Sequence, residues 1–436
     1  MGKFAVITQQ APVAPGTQDF VRAGFGVPIG FIVIGTKATA TTGGVVDVQE
    51  SYGFSDLVNQ FAMGIFYEDA SATPILNRQT ASDRVLTLHN VGATQDFTAS
   101  FNGLVKDGIQ LNFTDAVAGL PRITVILIGG ADFKVKAITG ITPAVVGTVP
   151  SPAVGFEADD LFWITAGSTQ AFDTPAVTVG GAGHGIGLCD NDGAGGVTMR
   201  SSTVFWNFFS GLNRNSEVIS DAFIMQRPVE TGATDQRIAL EAFTDNGFTI
   251  RETNFAGFGL EFAAFCMQWG ERTKSIVSDL DSPASATPQL ITTPQFKPQF
   301  LMTLPSRQAA YSTTVDSTNV SSIAIGAADN TLAQVGNAWR SLGGVVTSDS
   351  ESQARAKVVG VFDELGADVH EAAVTSFDPL GFTLGWDTAI SGDKQMYLAV
   401  GETPALRSVG GGATVAGAGK DRKVSVGMRP SRAPGS

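Results

Sequence analysis

The sequence predicts an all-β fold of tandem antiparallel β-sandwich modules, and three observations carry that prediction. Charged residues make up only 16% of the 436 residues while glycine reaches 51, and Ser, Thr and Ala are abundant, a balance that suits short strands and tight turns. Several segments alternate with a period of two. In "GIQLNF" Ile109, Leu111 and Phe113 share one face, and in "GFTLGW" Phe382, Leu384 and Trp386 do the same while Thr383 points away. Finally, a set of four markers returns three times in the same order.

Each unit opens on an apolar strand: "GFIVIGT" at 30–36, "DLFWITAG" at 160–167 and "QFLMTLPS" at 299–306. A Gly-x-x-Asp follows, at Gly53 to Asp56, Gly187 to Asp190 and Gly326 to Asp329. An alternating strand then starts at a glycine, in "DGIQLNF", "NGFTIRE" and "LGFTLGW". An apolar strand ending in glycine closes the unit, at Gly129, Gly270 and Gly401. The Gly-x-x-Asp glycines are 134 and 139 residues apart, and the closing glycines 141 and 131 apart, so duplication explains the register better than chance. Residues 351–366 also fit a helix, but a strand and turn is the preferred reading.

The expected division is an N-terminal arm at 1–20, module 1 at 21–141, a linker at 142–154, module 2 at 155–277, a linker at 278–297, module 3 at 298–402 and a basic Gly-rich arm at 403–436. The linkers are placed where Pro, Ser and Thr accumulate, a composition that favours extended connections. The C-terminal arm lacks a periodic apolar face and is expected to be mobile by itself. It carries Arg407, Lys420, Arg422, Lys423, Arg429 and Arg432 against Asp421, a net +5, which leaves −18 on the rest of a chain whose formal charge is −13.

That acidic balance disfavours general nucleic-acid binding, which needs clustered cations to neutralise phosphate. Two cysteines, Cys189 and Cys266, cannot frame several domains, and no structural bridge is expected. No signal-peptide pattern is evident, so synthesis in a cytoplasm is expected, and the sequons at Asn112 and Asn319 then carry no glycan in a bacterial setting. The longest apolar run, 23–35, contains Pro28 and is shorter than the roughly 18 residues that span a bilayer, so no membrane insertion is expected.

No catalytic constellation emerges. His89, His184 and His370 fall one per module, but at non-equivalent places and without partners at triad or metal-ligand spacing. The glycine-rich run at 180–196 lacks the Gly-Lys-Ser/Thr of a phosphate loop and the spaced acids of a calcium loop, and reads as a flexible turn. No paired acids on an alternating strand point to a glycosidase. The five tryptophans are assigned to cores in preference to a sugar-stacking platform. Asp56, Asp190 and Asp329 hold equivalent positions and are expected to brace turns through backbone N–H groups, with ligand binding as the weaker alternative. Neither a cofactor nor a metal is expected.

Taken together, "VRAGFGVPIGFIVIGT", "YGFSD", "SFDPLGFTLGWDT" and "MYLAVGE" resemble repeated β-sandwich modules of tailed-bacteriophage virion proteins, over about three-quarters of the chain. The resemblance implies jelly-roll-like or concanavalin-like sandwiches and a non-enzymatic, capsid- or tail-associated decoration role in the virion. Implied partners are other virion proteins and copies of the chain itself. A receptor- or glycan-binding tail adhesin meeting a host-surface glycan is the alternative, and a glycan-degrading enzyme the weaker one.

Overall fold

The computed structural model describes residues 2–402 except 40–43, 73, 91–94, 116–120, 166–171, 175–176, 180, 194–195, 210–211, 229–233, 255–258, 313–319, 343–344 and 364–366. The arm candidates Arg407, Lys420, Arg422, Lys423, Arg429 and Arg432, and Asn319, lie outside the described residues. Within them the protein is all-β, with no helix.

Module 1 comprises β1 (Lys3–Gln10), β2 (Gly16–Val21), β3 (Pro28–Thr36), β4 (Gly44–Val46), β5 (Val48–Ser55), β6 (Gln60–Tyr67), β7 (Leu76–Ala81), β8 (Leu86–His89), β9 (Gln95–Val105), β10 (Gly108–Asp115) and β11 (Arg122–Gly129). Module 2 comprises β12 (Lys134–Ile141), β13 (Gly147–Pro150), β14 (Asp160–Thr165), β15 (Val177–Val179), β16 (Gly181–Asn191), β17 (Val197–Phe209), β18 (Leu212–Ser220), β19 (Met225–Pro228), β20 (Thr234–Thr244), β21 (Gly247–Asn254) and β22 (Glu261–Gln268). Module 3 comprises β23 (Thr273–Asp281), β24 (Gln289–Ile291), β25 (Lys297–Pro305), β26 (Val320–Asp329), β27 (Gln334–Leu342), β28 (Ser350–Arg355), β29 (Val359–Phe362), β30 (Asp368–Asp378), β31 (Gly381–Thr388) and β32 (Lys394–Glu402).

Every module repeats one topology. A large sheet, β1-β11-β3-β5-β6-β7 in module 1, packs on a four-stranded sheet, β2-β10-β9-β8; modules 2 and 3 repeat this order strand for strand. All ladders are antiparallel, and the same bulge recurs in the small sheets, between Gln110/Leu111, Leu240/Ala242 and Val374/Ser376. The alternation seen in the sequence is the alternation of burial: Ile109, Leu111 and Phe113, like Phe382, Leu384 and Trp386, lie in the cores between the two sheets.

Several boundaries shift. The segments read as an N-terminal arm and two linkers carry ladder strands: β1 pairs with β11, β13 with β21 and β24 with β31. They are corners at which the chain crosses from the large sheet to the small one. Pro12, Pro143 and Pro283 each stand two residues beyond a large-sheet strand, where a residue without an N–H ends the ladder. The actual joints are the short turns at 130–133 and 269–272, held by Phe133 N–H to Gly130 O and Thr273 N–H to Gly270 O. Gly270 belongs to such a joint and is not the counterpart of Gly129 and Gly401. Those face Lys3 and Lys274 across the ladder, and Gln268 takes that position opposite Lys134.

Two local readings are settled by pairing. Most of the described glycine-rich run is no flexible turn: 181–191 is β16, hydrogen-bonded on both sides to β14 and β17, and a turn follows it, where Asp192 N–H bonds Gly196 O. Its glycines serve close contact, since a Cβ at Gly185 would approach Thr203 Oγ1 to 2.8 Å and one at Gly183 would approach Val204 O to 2.9 Å. Residues 351–366 form the end of β28 and then β29, as the strand-and-turn reading requires, with 364–366 outside the described residues.

Three sandwich cores are separate, but a fourth core belongs to all modules. Ile32, Ile126, Phe54 and Met63 of module 1, Phe162, Phe265, Ile186 and Val204 of module 2, and Met302, Leu398, Ile325 and Trp339 of module 3 pack together. The large sheets are therefore apolar on both faces, which explains their nearly continuous hydrophobic runs. Aromatic contacts cross each seam: Phe54 to Phe265 (5.2 Å between centroids), Trp206 to Trp339 (4.4 Å) and Phe300 to Phe4 (4.6 Å, stacked). Three modules thus close around a shared core as a pseudo-threefold ring.

Candidate functional site at the module seams

The Gly-x-x-Asp marker builds the seams. Ladder register makes Gly53, Gly187 and Gly326 equivalent, opposite Val33, Trp163 and Thr303. At each glycine the backbone leading into the small sheet comes close. A Cβ would run into Val85 O at Gly53, Ile224 O (3.0 Å) at Gly187 and Val358 O at Gly326. Val85, Ile224 and Val358 hold matching places, each donating its N–H to the adjacent small-sheet strand. Only a residue without a side chain permits that approach.

Three residues later the aspartate reaches out of its own module. Asp56 Oδ2 accepts the N–H of Ala137 in module 2 (3.2 Å), Asp190 Oδ2 that of Val277 in module 3 (3.0 Å), and Asp329 Oδ2 that of Val6 in module 1 (2.9 Å). Each module clasps the first strand of the next, and the third clasps the first. The expected turn-bracing role is present as well at Asp56 and Asp329. Asp56 Oδ1 accepts N–H bonds from Val58 and Asn59, and Asp329 Oδ1 accepts them from Thr331 and Ala333. The sequence reading missed the second carboxylate oxygen, because its partners lie 81, 87 and 323 residues away. Cations reinforce two clasps: Lys136 Nζ lies 3.2 Å from Asp56 and Arg22 2.9 Å from Asp329. Burial pushes the Asp56 carboxyl up, but the backbone N–H groups of Asn59, Val58 and Ala137 and the Asn59 side chain together hold it below its usual range.

Strand exchange runs the opposite way around the ring. β15 of module 2 extends the large sheet of module 1 through β7, and β4 of module 1 extends that of module 3 through β28. In module 3 the corresponding connection gives Ser312 N–H to Ile219 O of β18 in module 2 (2.8 Å). The two added strands, β15 and β4, each cover an edge that would otherwise present free backbone groups.

Polar groups are buried in the same seams. Glu217 of module 2 accepts the Ser322 N–H of module 3 (2.8 Å), with Ser306 beside it; burial raises its pKa to about 7. Glu261 of module 2 accepts the Thr80 hydroxyl of module 1 (2.5 Å), and burial raises it likewise to about 7. Glu50 of module 1 is fully buried and pushed well up by desolvation, with the Thr36 and Tyr52 hydroxyls near it but neither carboxylate oxygen within hydrogen-bond geometry of a partner. Tyr52 Oη in turn accepts the Trp339 indole N–H of module 3 (3.2 Å).

The histidines do not converge. His184 occupies the position in β16 that Glu50 holds in β5, as the offsets from Gly187 and Gly53 show. It lies among Tyr52, Trp206 and Trp339, and burial depresses its pKa to about 3. His89 sits in the small sheet of module 1, against Thr87. His370 is held at both nitrogens, Nε2 by Asp393 Oδ2 (2.7 Å) and Nδ1 by Ile390 N–H (3.3 Å). All five tryptophans are buried. Cys189 and Cys266 are free, buried thiols flanking Leu161 from opposite neighbouring strands. Among the described residues no group of three or more His, Cys, Asp and Glu is placed to hold a metal, and no helix is long and apolar enough to cross a membrane.

An open pocket of about 460 Å³ lies at the end of module 3, lined by Lys297, Gln299, Asn330, Thr375, Phe377 and Glu402 among others. No protein-family model matches the chain, and no curated protein matches it either.

Proposed function

We propose that this protein is a non-enzymatic structural component of a tailed-phage particle, a capsid- or tail-associated decoration protein. The observation that supports the reading best is the closed pseudo-threefold ring within one chain, in which the repeat aspartates are spent on joining modules. A rigid single-chain ring of this kind suits a threefold or pseudo-threefold position in a larger assembly. The basic segment 403–436, opposite in charge to the body, is the arm by which the ring contacts neighbours. Antibody labelling of particles in electron microscopy tests the location: label confined to the distal tail fibre, or absent from particles, refutes the decoration role. A chain truncated after Glu402 should fold with unchanged melting temperature yet fail to enter particles, and normal incorporation would remove the arm from the proposal.

The adhesin alternative has no exposed tryptophan platform and is supported only by the polar pocket beside Phe377. Saturable binding on a glycan array, abolished by Asn330→Ala and Phe377→Ala, would favour it.

A further inference from the structure

Each seam contains a deeply placed glutamate with no ion pair within 4.0 Å among the described residues. Glu261 lies between modules 1 and 2, Glu217 between modules 2 and 3, and Glu50 beside the Tyr52–Trp339 contact between modules 1 and 3. The three are not repeats of one another. Glu50 corresponds to His184, and Glu217 on β18 corresponds to Arg78 on β7, each facing the middle strand of its ladder, Val204 and Ile65. Three seams have thus acquired the same chemistry at three different positions. None of the three carboxylates has a Lys, Arg or His nitrogen within 4.0 Å among the described residues, whereas other acids at the seams, such as Asp329 and Asp279, are ion-paired.

We propose that the module ring is proton-closed: each seam is sealed by a carboxylic acid in its neutral form, so the ring is tight in mildly acidic medium and loosens at the seams as the medium turns alkaline.

The surroundings support this. Glu217 is faced by Ser322 of β26 and by Ser306, Arg307 and Gln308 after β25; Arg307 is the one charged group among these and forms no ion pair with it within 4.0 Å. Glu261 is faced by Thr80 and Arg78 of β7, the Arg78 charge favouring ionisation without an ion pair to Glu261 within 4.0 Å, and by Asp173, whose negative charge opposes it; burial outweighs them. Glu50 is faced by Thr36 and Tyr52, while the ring nearest to Tyr52 from module 2 is His184, which burial keeps neutral. A neutral acid can stay in such surroundings at little cost, whereas a carboxylate without a cation is expensive and draws water into the seam. The sign follows by linkage. For Glu217 and Glu261 the folded-state value, about 7, lies above the ordinary 4.5, so their stabilisation is complete below about pH 4.5 and is lost as the pH rises through 7.

The test follows the Ser322 amide, the donor to Glu217, by hydrogen exchange in the full chain at pH 5.5 and pH 8.5, each rate divided by its intrinsic rate at that pH. Protection at Ser322 should fall at least tenfold more than at Phe248, which lies in the small sheet of module 2 away from the seam. In Glu217→Gln, which keeps a carbonyl acceptor, the pH-dependent part should vanish. Infrared spectra of the unmutated protein near pH 6 should contain the C=O stretch of a protonated carboxylic acid, weakened in Glu217→Gln. Equal loss of protection at both amides, unchanged protection at Ser322, or no protonated-acid band would each overturn the proposal. The wild-type band decides the matter even if the variant fails to fold.

Discussion

Replacing Asp329 by alanine opens the ring at a single, identifiable place. The carboxylate is 1% exposed and accepts Val6 N–H, the Arg22 guanidinium, the Thr331 N–H and hydroxyl, and Ala333 N–H. Losing the acceptor leaves the buried Val6 N–H unpaired, which costs about 1–3 kcal/mol. Arg22 is about one-third exposed and regains water, so its ion pair contributes no more than about 1 kcal/mol. The turn at 329–333 loses its brace, at a further cost of about 1 kcal/mol. The total is about 2–5 kcal/mol, measured by urea unfolding with tryptophan fluorescence, since Trp206, Trp269 and Trp339 all lie in the shared core. Exchange at the β1 amides should accelerate before the rest of module 1 responds. Asp190→Ala, which also strands a buried N–H, should behave similarly, and Asp56→Ala should cost less because the Ala137 N–H is only part-buried. A loss below about 0.5 kcal/mol in Asp329→Ala, or unchanged β1 exchange, would refute the clasp.

Other consequences are independent of that seam. Gly53→Ala and Gly326→Ala should destabilise strongly, by about 3 kcal/mol or more, because the added methyl meets small-sheet backbone. Gly187→Ala should cost less, since its nearest neighbour is the Ile224 side chain at 2.9 Å; thermal melts rank the three. Burial pushes both the Cys189 and Cys266 thiols up, so neither should react with a thiol reagent at pH 8 in the native protein, and both should react in denaturant.

Much of the fold was legible because it is local. Period-two alternation requires neighbouring residues only, and it located the buried faces of β10 and β31 correctly. The recurrence of Gly-x-x-Asp identified three modules for the same reason, since duplicated chains keep their turns. What misled was composition. Pro, Ser and Thr at 142–154 and 278–297 indicate where a ladder strand stops, and that condition is met equally by a linker and by a corner inside a sandwich. The glycine-rich stretch misled similarly, because glycine lowers strand propensity but is needed where a backbone or side chain packs against the strand.

The sequence by itself determined the all-β class, the buried faces of β10 and β31 and the number of modules, all from short-range spacing. Only the tertiary structure decided that the second oxygen of each repeat aspartate binds the next module, that the large sheets are buried on both faces, and that Glu50, Glu217 and Glu261 share the same circumstance at three seams. Those facts depend on which distant residues meet when three sheets close on one another. That meeting is set by packing around a common core, to which no single stretch of chain holds the key.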